Sequence, residues 1–457
     1  MEDLATRSYW LGLDEYEPGP PLRGDMEVDI AIVGGGFTGL WTAYHLLKED
    51  PGLTIAVIEA AAVGYGASGR NGGFAMTLVH RSLQALVGDV GMQQALAIHR
   101  AAEAAVHTIE RVCKEENIEA DLMPNGLLIV SNTVLQDEHI QREAKLAKEL
   151  GIESIRLLDR DEIQARVHSE TFRLALEGEA CVLLNPARLV RGLRDVVVRM
   201  GARVLEQTAV DEITQDADAV TVRTPGGVVK ARRALLAANG YSGCFPALRD
   251  RVTAFYSYIL LSEPLTEDQW SRIGWQGREG MEDRRTFLHY FRPTIDGRLL
   301  WAGRDAPYHP DGPDARYDRD ERVFRRLEET FRWTFPQLHD LAFEYRWGGP
   351  LGVTSTFLPG AGWLAGNRIA YAFGYNGHGV AISCLLAMAV RDLLMEHESE
   401  FTRLALVGKK PPSMGPRLVR DPVIKAVADY QLRQDDAGEP VKPSVLVRLA
   451  ERFFGGF

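Results

Sequence analysis

The stretch VDIAIVGGGFTGLWTAYHLL, beginning at Val28, constrains the fold more than any other part of the 457-residue chain. Gly34, Gly36 and Gly39 form a G-x-G-x-x-G pattern between an apolar run, Val28 to Val33, and a segment with helical spacing at Leu40, Ala43, Leu46 and Leu47. A second apolar run, Leu53 to Ile58, ends at Glu59. Short continuous apolar runs read as strands buried on both faces of a parallel sheet, so the unit is βαβ. In such a unit the first glycine allows a tight turn, the second a close pyrophosphate approach, and the third helix-on-strand packing. The helix N-terminus favours an anion, and an acidic residue about twenty positions on accepts hydrogen bonds from a ribose. The chain is therefore expected to hold a dinucleotide through Gly34, Gly36, Phe37, Thr38, Gly39, Glu59 and the adjoining Ala60.

Two further glycine-rich loops bear on which dinucleotide. A nicotinamide nucleotide that comes and goes needs little beyond the fingerprint, whereas a resident flavin must be enclosed along its second half. The first loop, GASGRNGG at 66–73, follows directly on Glu59. Gly66, Gly69, Gly72 and Gly73 there leave backbone clearance for a rigid group, and Ala67, Ser68, Arg70 and Asn71 lie between them. The second, GYNGHG at 374–379, opens a C-terminal helix whose N-terminus suits negative charge on a reduced isoalloxazine. No second fingerprint follows another strand, which argues against a separate NAD(P)H domain. FAD is the expected cofactor.

Beyond the first unit, long helices are expected at 92–117, 134–150 and 318–334, and another from Asn185-Pro186 to about Met200. Hairpins are expected at Asn125-Gly126 and Asp296-Gly297, and a strand over 252–262. The expected fold class is α/β with an α+β second domain. It comprises a Rossmann-like FAD-binding domain built from discontinuous segments (25–90, 180–245 and 345–400) and an inserted mixed-sheet substrate domain (91–179 and 246–344). An N-terminal arm, 1–24, and a C-terminal extension, 401–457, complete the chain.

A net charge of −11 argues against nucleic acid or an anionic membrane as partner. The opening residues are acidic without an apolar core, so no secretory leader is expected, and the longest apolar runs are too short to span a bilayer. Cys113, Cys181, Cys244 and Cys384 form no CxxC pair and are expected to be reduced and buried. No histidine spacing suggests a metal. A cytoplasmic enzyme is the expected class, and nothing in the sequence specifies an oligomeric state.

Taken together, DIAIVGGGFTGLWTAYHLL, VIEAAAVGYGASGRNGG, NPARLVRGL, LLAANGY, RPTIDGRLLWAGR, WGGPLGVTSTFLPGAG and GYNGHGVAISCLLAMAVRDLL resemble the D-amino-acid-oxidase-type FAD oxidoreductases. This is the group of glycine oxidase and monomeric sarcosine oxidase, and the likeness is nearest to γ-glutamylputrescine oxidase-like members. The resemblance implies oxidation of an amine to an imine by hydride transfer to flavin N5. Hydrolysis to a carbonyl and reoxidation by oxygen, giving hydrogen peroxide, would follow. It places Gly377, His378 and Gly379 at the flavin's pyrimidine edge, and Val210, Asn239, Gly240, Gly374 and Val380 complete the expected cofactor contacts. Two departures stand out. Gly348 and Gly349 occupy the neighbourhood where sarcosine-oxidase-type members attach flavin through a cysteine, so FAD is expected to be non-covalent. No lysine lies between Lys230 and Lys409, although those members use a lysine to promote reaction with oxygen. A dehydrogenase passing electrons to a quinone or carrier protein is the alternative, and a flavoprotein without amine turnover the third reading.

The chemistry asks for a water-excluding pocket that orients a small-molecule amine. The strand Phe255, Tyr256, Ser257, Tyr258 offers one aromatic wall, and Tyr290, Trp301 and Trp347 are further candidates, though each aromatic more often packs a sheet core. Arg292 and Arg298 flank the Asp296-Gly297 turn and are candidate partners for a substrate carboxylate, or structural arginines. His378 touches flavin or substrate, or simply caps its helix. The catalytic candidates are Tyr258, Arg292 and His378. Val445, Leu449 and Phe453 mark one face of a final helix expected to dock on its own domain.

Overall fold

Residues two apart share a face of a strand, and both faces of the first strand are apolar. In the computed structural model, which describes residues 4–79 and 82–454 apart from the side chains of 449 and 451–454, strand Met26–Val33 sits at the centre of an eight-stranded sheet. Ile30 and Ile32 enter one core with Ile55 and Val57, while Ala31 and Val33 enter another with Ala56 and Ile58. That double burial is why these runs lack polar alternation. Parallel neighbours Ile55–Ile58 and Gly227–Leu236 flank the first strand, with Arg203–Leu205 and Ile369–Phe373 outside them. Helices Phe37–Glu49, Pro186–Arg199, Met92–Glu115 and Gly379–Leu394 fill the first core.

The second eight-stranded sheet runs in the order Phe343–Val353, Thr253–Ser262, Leu299–Gly303, His289–Pro293, Gly280–Asp283, Leu127–Val130, Ala175–Gly178, Ile155–Leu158. Helix Glu321–Thr334 covers one of its faces through Val323, Phe324, Leu327 and Phe331.

Several expectations need correcting. Helix Met92–Glu115 packs on the first sheet's helices, because Ala95, Ile98, Ala102, Ala105 and Ile109 form one apolar stripe that meets Gly379–Leu394. Strand Phe343–Val353 pairs along Thr253–Ser262 and so belongs to the second sheet. Asn125-Gly126 turns no hairpin. Met123 bridges to Leu183, whereas Leu127–Val130 pairs with Ala175–Gly178 and Gly280–Asp283. Cys244, at the end of a short 3-10 turn, is exposed.

Other local signals are realised. Asp296-Gly297 turns the hairpin between His289–Pro293 and Leu299–Gly303. Asn185 caps its helix by accepting from the Ala187 and Arg188 N–H groups, with Pro186 in the first turn.

The C-terminal extension forms two helices, Arg417–Ala437 and Val445–Phe454, joined through Val427, Val447 and Ala450. Val445 is exposed, and the Leu449 and Phe453 side chains lie outside the described residues. Among the described residues no helix is long and apolar enough to cross a membrane. Replacing Asn185 by Ala removes a cap and is expected to cost about 1 kcal/mol, measurable by denaturant unfolding.

Candidate active site

The fingerprint glycines are required by distance. Gly34 has φ +117°, and a side chain there would meet the Ala237 carbonyl. A Cβ on Gly39 would lie 2.1 Å from the Gly34 oxygen. Gly36 is the N-cap of helix Phe37–Glu49 and has no side chain to close its first turn; Ser68 Oγ accepts from the Phe37 N–H at 3.0 Å. Glu59 is half-buried, its carboxylate fixed by N–H donors from Gly35 at 2.8 Å and Ala61 at 3.0 Å. A glycine cradle, a helix N-terminus and a fixed carboxylate at the strand end fit the adenine half of FAD.

The GASGRNGG loop is rigid because side chains from distant segments satisfy its backbone. The Gly69 carbonyl accepts from Ser8 Oγ at 2.7 Å, and that of Arg70 from Trp347 Nε1 at 2.8 Å. The next two, of Asn71 and Gly72, accept from Trp10 Nε1 at 3.0 Å and Arg292 Nε at 2.6 Å. Asn71 closes the loop on itself, donating to the Ala67 and Ser68 carbonyls and accepting from Gly73 N–H. Arg70 is buried, donating to the Tyr65 carbonyl and pairing with Asp318 at 2.8 Å. Gly73, at φ +75°, fits only without a side chain against the Leu184 carbonyl.

A mostly apolar cavity of about 740 Å³ opens beside this loop. Ala67, Arg70, Asn71 and Gly72 form one edge, and Gly349 to Leu351 with Gly377, His378 and Val380 another. Phe255, Ser257, Glu282 and Tyr290 rise from the second sheet. The far wall is helix Arg417–Ala437, through Arg420, Val423, Ile424 and Val427. Its carboxylates fasten it: Asp421 accepts from Tyr308, Asp435 from the Thr286 and Phe287 N–H groups, and Asp436 pairs with Arg304 and Arg326.

Of the expected catalytic and substrate residues, His378 and Tyr290 line the cavity. His378 is the buried N-cap of helix Gly379–Leu394, its Nε2 lying 3.5 Å from Glu282. The Tyr290 hydroxyl lies 3.0 Å from Ser257 Oγ, and burial pushes its phenol up to about 12, so it stays protonated.

The others are corrected. Tyr256 and Tyr258 sit on the opposite face of their strand and donate to the Asp314 and Tyr317 carbonyls. The pleat turns Phe255 and Ser257 to the cavity in their place. Trp301 packs in the aromatic core with Phe291 and Phe331. Arg298 pairs with Asp296 and Glu344, away from the cavity. Trp347 and Arg292 serve the glycine-rich loop. Arg292 also donates to the Leu184 carbonyl at 2.7 Å, and burial lowers its guanidinium to about 10, still charged at neutral pH.

Several cofactor candidates also act by shaping the site. Thr38 lies 2.7 Å from the Tyr375 hydroxyl, tying the fingerprint helix to the second glycine-rich turn. Asn239 accepts from Gly374 N–H at 3.0 Å, and Gly240 packs on the Leu351–Gly352 backbone. Val210 lies against the sheet's second core, Ala60 is exposed beyond Glu59, and Gly379 sits against Tyr375.

The fold and cradle define a flavin-type dinucleotide enzyme. A family model for FAD dependent oxidoreductases matches residues 29–393, and the chain belongs to that family; its cofactor is FAD. Gamma-glutamylputrescine oxidoreductase of Escherichia coli strain K12 is 31% identical over 440 residues, covering 96% of this chain and all of that protein. Two solved structures share the fold. Glycine oxidase from Geobacillus kaustophilus has TM-score 0.68 at 20% identity, covering 82% of this chain and 96% of its own. L-Proline dehydrogenase from P. horikoshii has TM-score 0.69 at 17% identity, covering 84% and 96%.

Two outcomes follow. Gly39→Ala is expected to yield protein without flavin absorbance after purification. Tyr258→Phe removes one hydrogen bond on the core side and is expected to cost about 1 kcal/mol of stability with kcat and KM unchanged.

Proposed function

We propose that the protein oxidises a primary or secondary amine to an imine, which water hydrolyses to a carbonyl compound, with oxygen as the final acceptor. The observation carrying this reading is the cavity itself: its mostly apolar volume lies between the flavin-side loops and helix Arg417–Ala437. FAD, when bound, supplies the two-electron acceptor that takes a hydride from the carbon bearing the amine. The chain's own residues orient the amine and exclude water. Phe255 and Tyr290 give an aromatic wall, and the Ser257 hydroxyl lies beside the Tyr290 phenol. The fastened C-terminal helix closes the far side.

The full-length likeness to gamma-glutamylputrescine oxidoreductase supports an extended substrate, an amine on a polyamine-like chain with an acidic head. Arg420 on the C-terminal helix is buried at the cavity and suits such a head. Non-covalent FAD is supported by the four cysteines, none of which lines the cavity. A second reading, transfer to a quinone or carrier protein, is favoured by the absence of any lysine between Lys230 and Lys409.

Anaerobic addition of γ-glutamylputrescine and of simpler amines is expected to bleach the flavin, and admitted air to restore it with peroxide. Slow reoxidation by air with fast reoxidation by a quinone would select the second reading, and no bleaching by any amine would refute both. Acid precipitation is expected to leave the yellow colour in the supernatant; colour in the pellet would mean covalent attachment.

A further inference from the structure

Glu282 lies in strand Gly280–Asp283, directly opposite Tyr290 in the antiparallel register. Its neighbours Met281 and Asp283 point to the other face, where Met281 joins the aromatic core and Asp283 meets His289. Glu282 alone therefore carries a carboxylate from this strand into the cavity, at 2% exposure. A buried carboxylate is costly unless it is paired and hydrogen-bonded. Asp283 meets that demand with His289, Arg285 and two backbone N–H groups. Glu282 does not: among the described residues its sole partner is His378 Nε2, at 3.5 Å. The carboxylate thus has acceptor capacity directed into a mostly apolar, aromatic-walled space. The complementary group is an alkylammonium, whose charge pairs with the carboxylate and whose carbon chain lies against Phe255 and Tyr290.

We infer that Glu282 is the specificity-determining residue that receives the protonated amino group of the substrate on binding, before that group loses a proton to solvent and the neutral amine gives up its hydride. This rests on the amine reading above and adds the polarity of binding. The cationic end lies at Glu282 beside His378, and the remainder extends toward helix Arg417–Ala437. The site then selects amines over neutral alcohols of the same shape.

The test uses the FAD-loaded enzyme and a probe that does not turn over. An alkylamine with no hydrogen on its α-carbon is titrated while the flavin absorbance is followed, beside the alcohol of the same skeleton. Glu282→Gln is expected to weaken the amine about 10- to 100-fold, the loss of one charge-assisted contact, and to leave the alcohol unchanged. Glu282→Asp is expected to fall between, and serves if the Gln variant does not retain FAD. Equal weakening of amine and alcohol, unchanged amine affinity in the variants, or no amine binding by the unaltered protein would each overturn the inference. If the unaltered protein is bleached by amines while Glu282→Gln keeps its KM, only the assignment of Glu282 fails.

Discussion

Four consecutive carbonyls, from Gly69 to Gly72, each accept a hydrogen bond from a different side chain, and the architecture of the site depends on that arrangement. A loop outside helix and sheet must find partners for its buried backbone groups elsewhere. Here Ser8 and Trp10 come from the N-terminal arm, and Trp347 and Arg292 from the second sheet. The loop is thus the place where arm, nucleotide-binding sheet and second sheet are fitted to one another. Buried Arg70, paired with Asp318, extends the same fastening towards the strand at Gly348. Two buried guanidiniums hold backbone in place: Arg70 is paired with Asp318, and Arg292 is satisfied by the Gly72 and Leu184 carbonyls.

The nucleotide half of the site was legible because its determinants are local. The fingerprint, the helix it opens and Glu59 lie within one βαβ unit, where sequence spacing and spatial neighbourhood coincide. The cavity was less legible for a physical reason. Strand Thr253–Ser262 carries an aromatic on each face, so its alternation reveals two sets of residues without saying which meets the cavity. By sequence, Phe255, Tyr256, Ser257 and Tyr258 are all candidates for the wall, and the pleat keeps only Phe255 and Ser257 at the cavity. Arg292 was identifiable as important but not for its reason, since its partners are carbonyls far away in sequence.

Glu282 gave no signal at all. It sits in GREGMEDRR, a charged stretch that reads as solvated surface, and only the pairing of its strand between Leu127–Val130 and His289–Pro293 buries it. The same holds for helix Arg417–Ala437. Its pattern is only weakly amphipathic, so nothing in it announces that one face overlies the cavity.

That helix lies beyond residue 393, where the family match ends, yet it supplies a wall of the cavity. The glycine cradle and the wall that bounds the far end of the cavity therefore lie in separate stretches of the chain. The contacts that fasten this helix are different from those that form the glycine cradle. If the proposed amine enters this cavity, what fits is set in part by the last sixty or so codons, while the glycine cradle is encoded elsewhere.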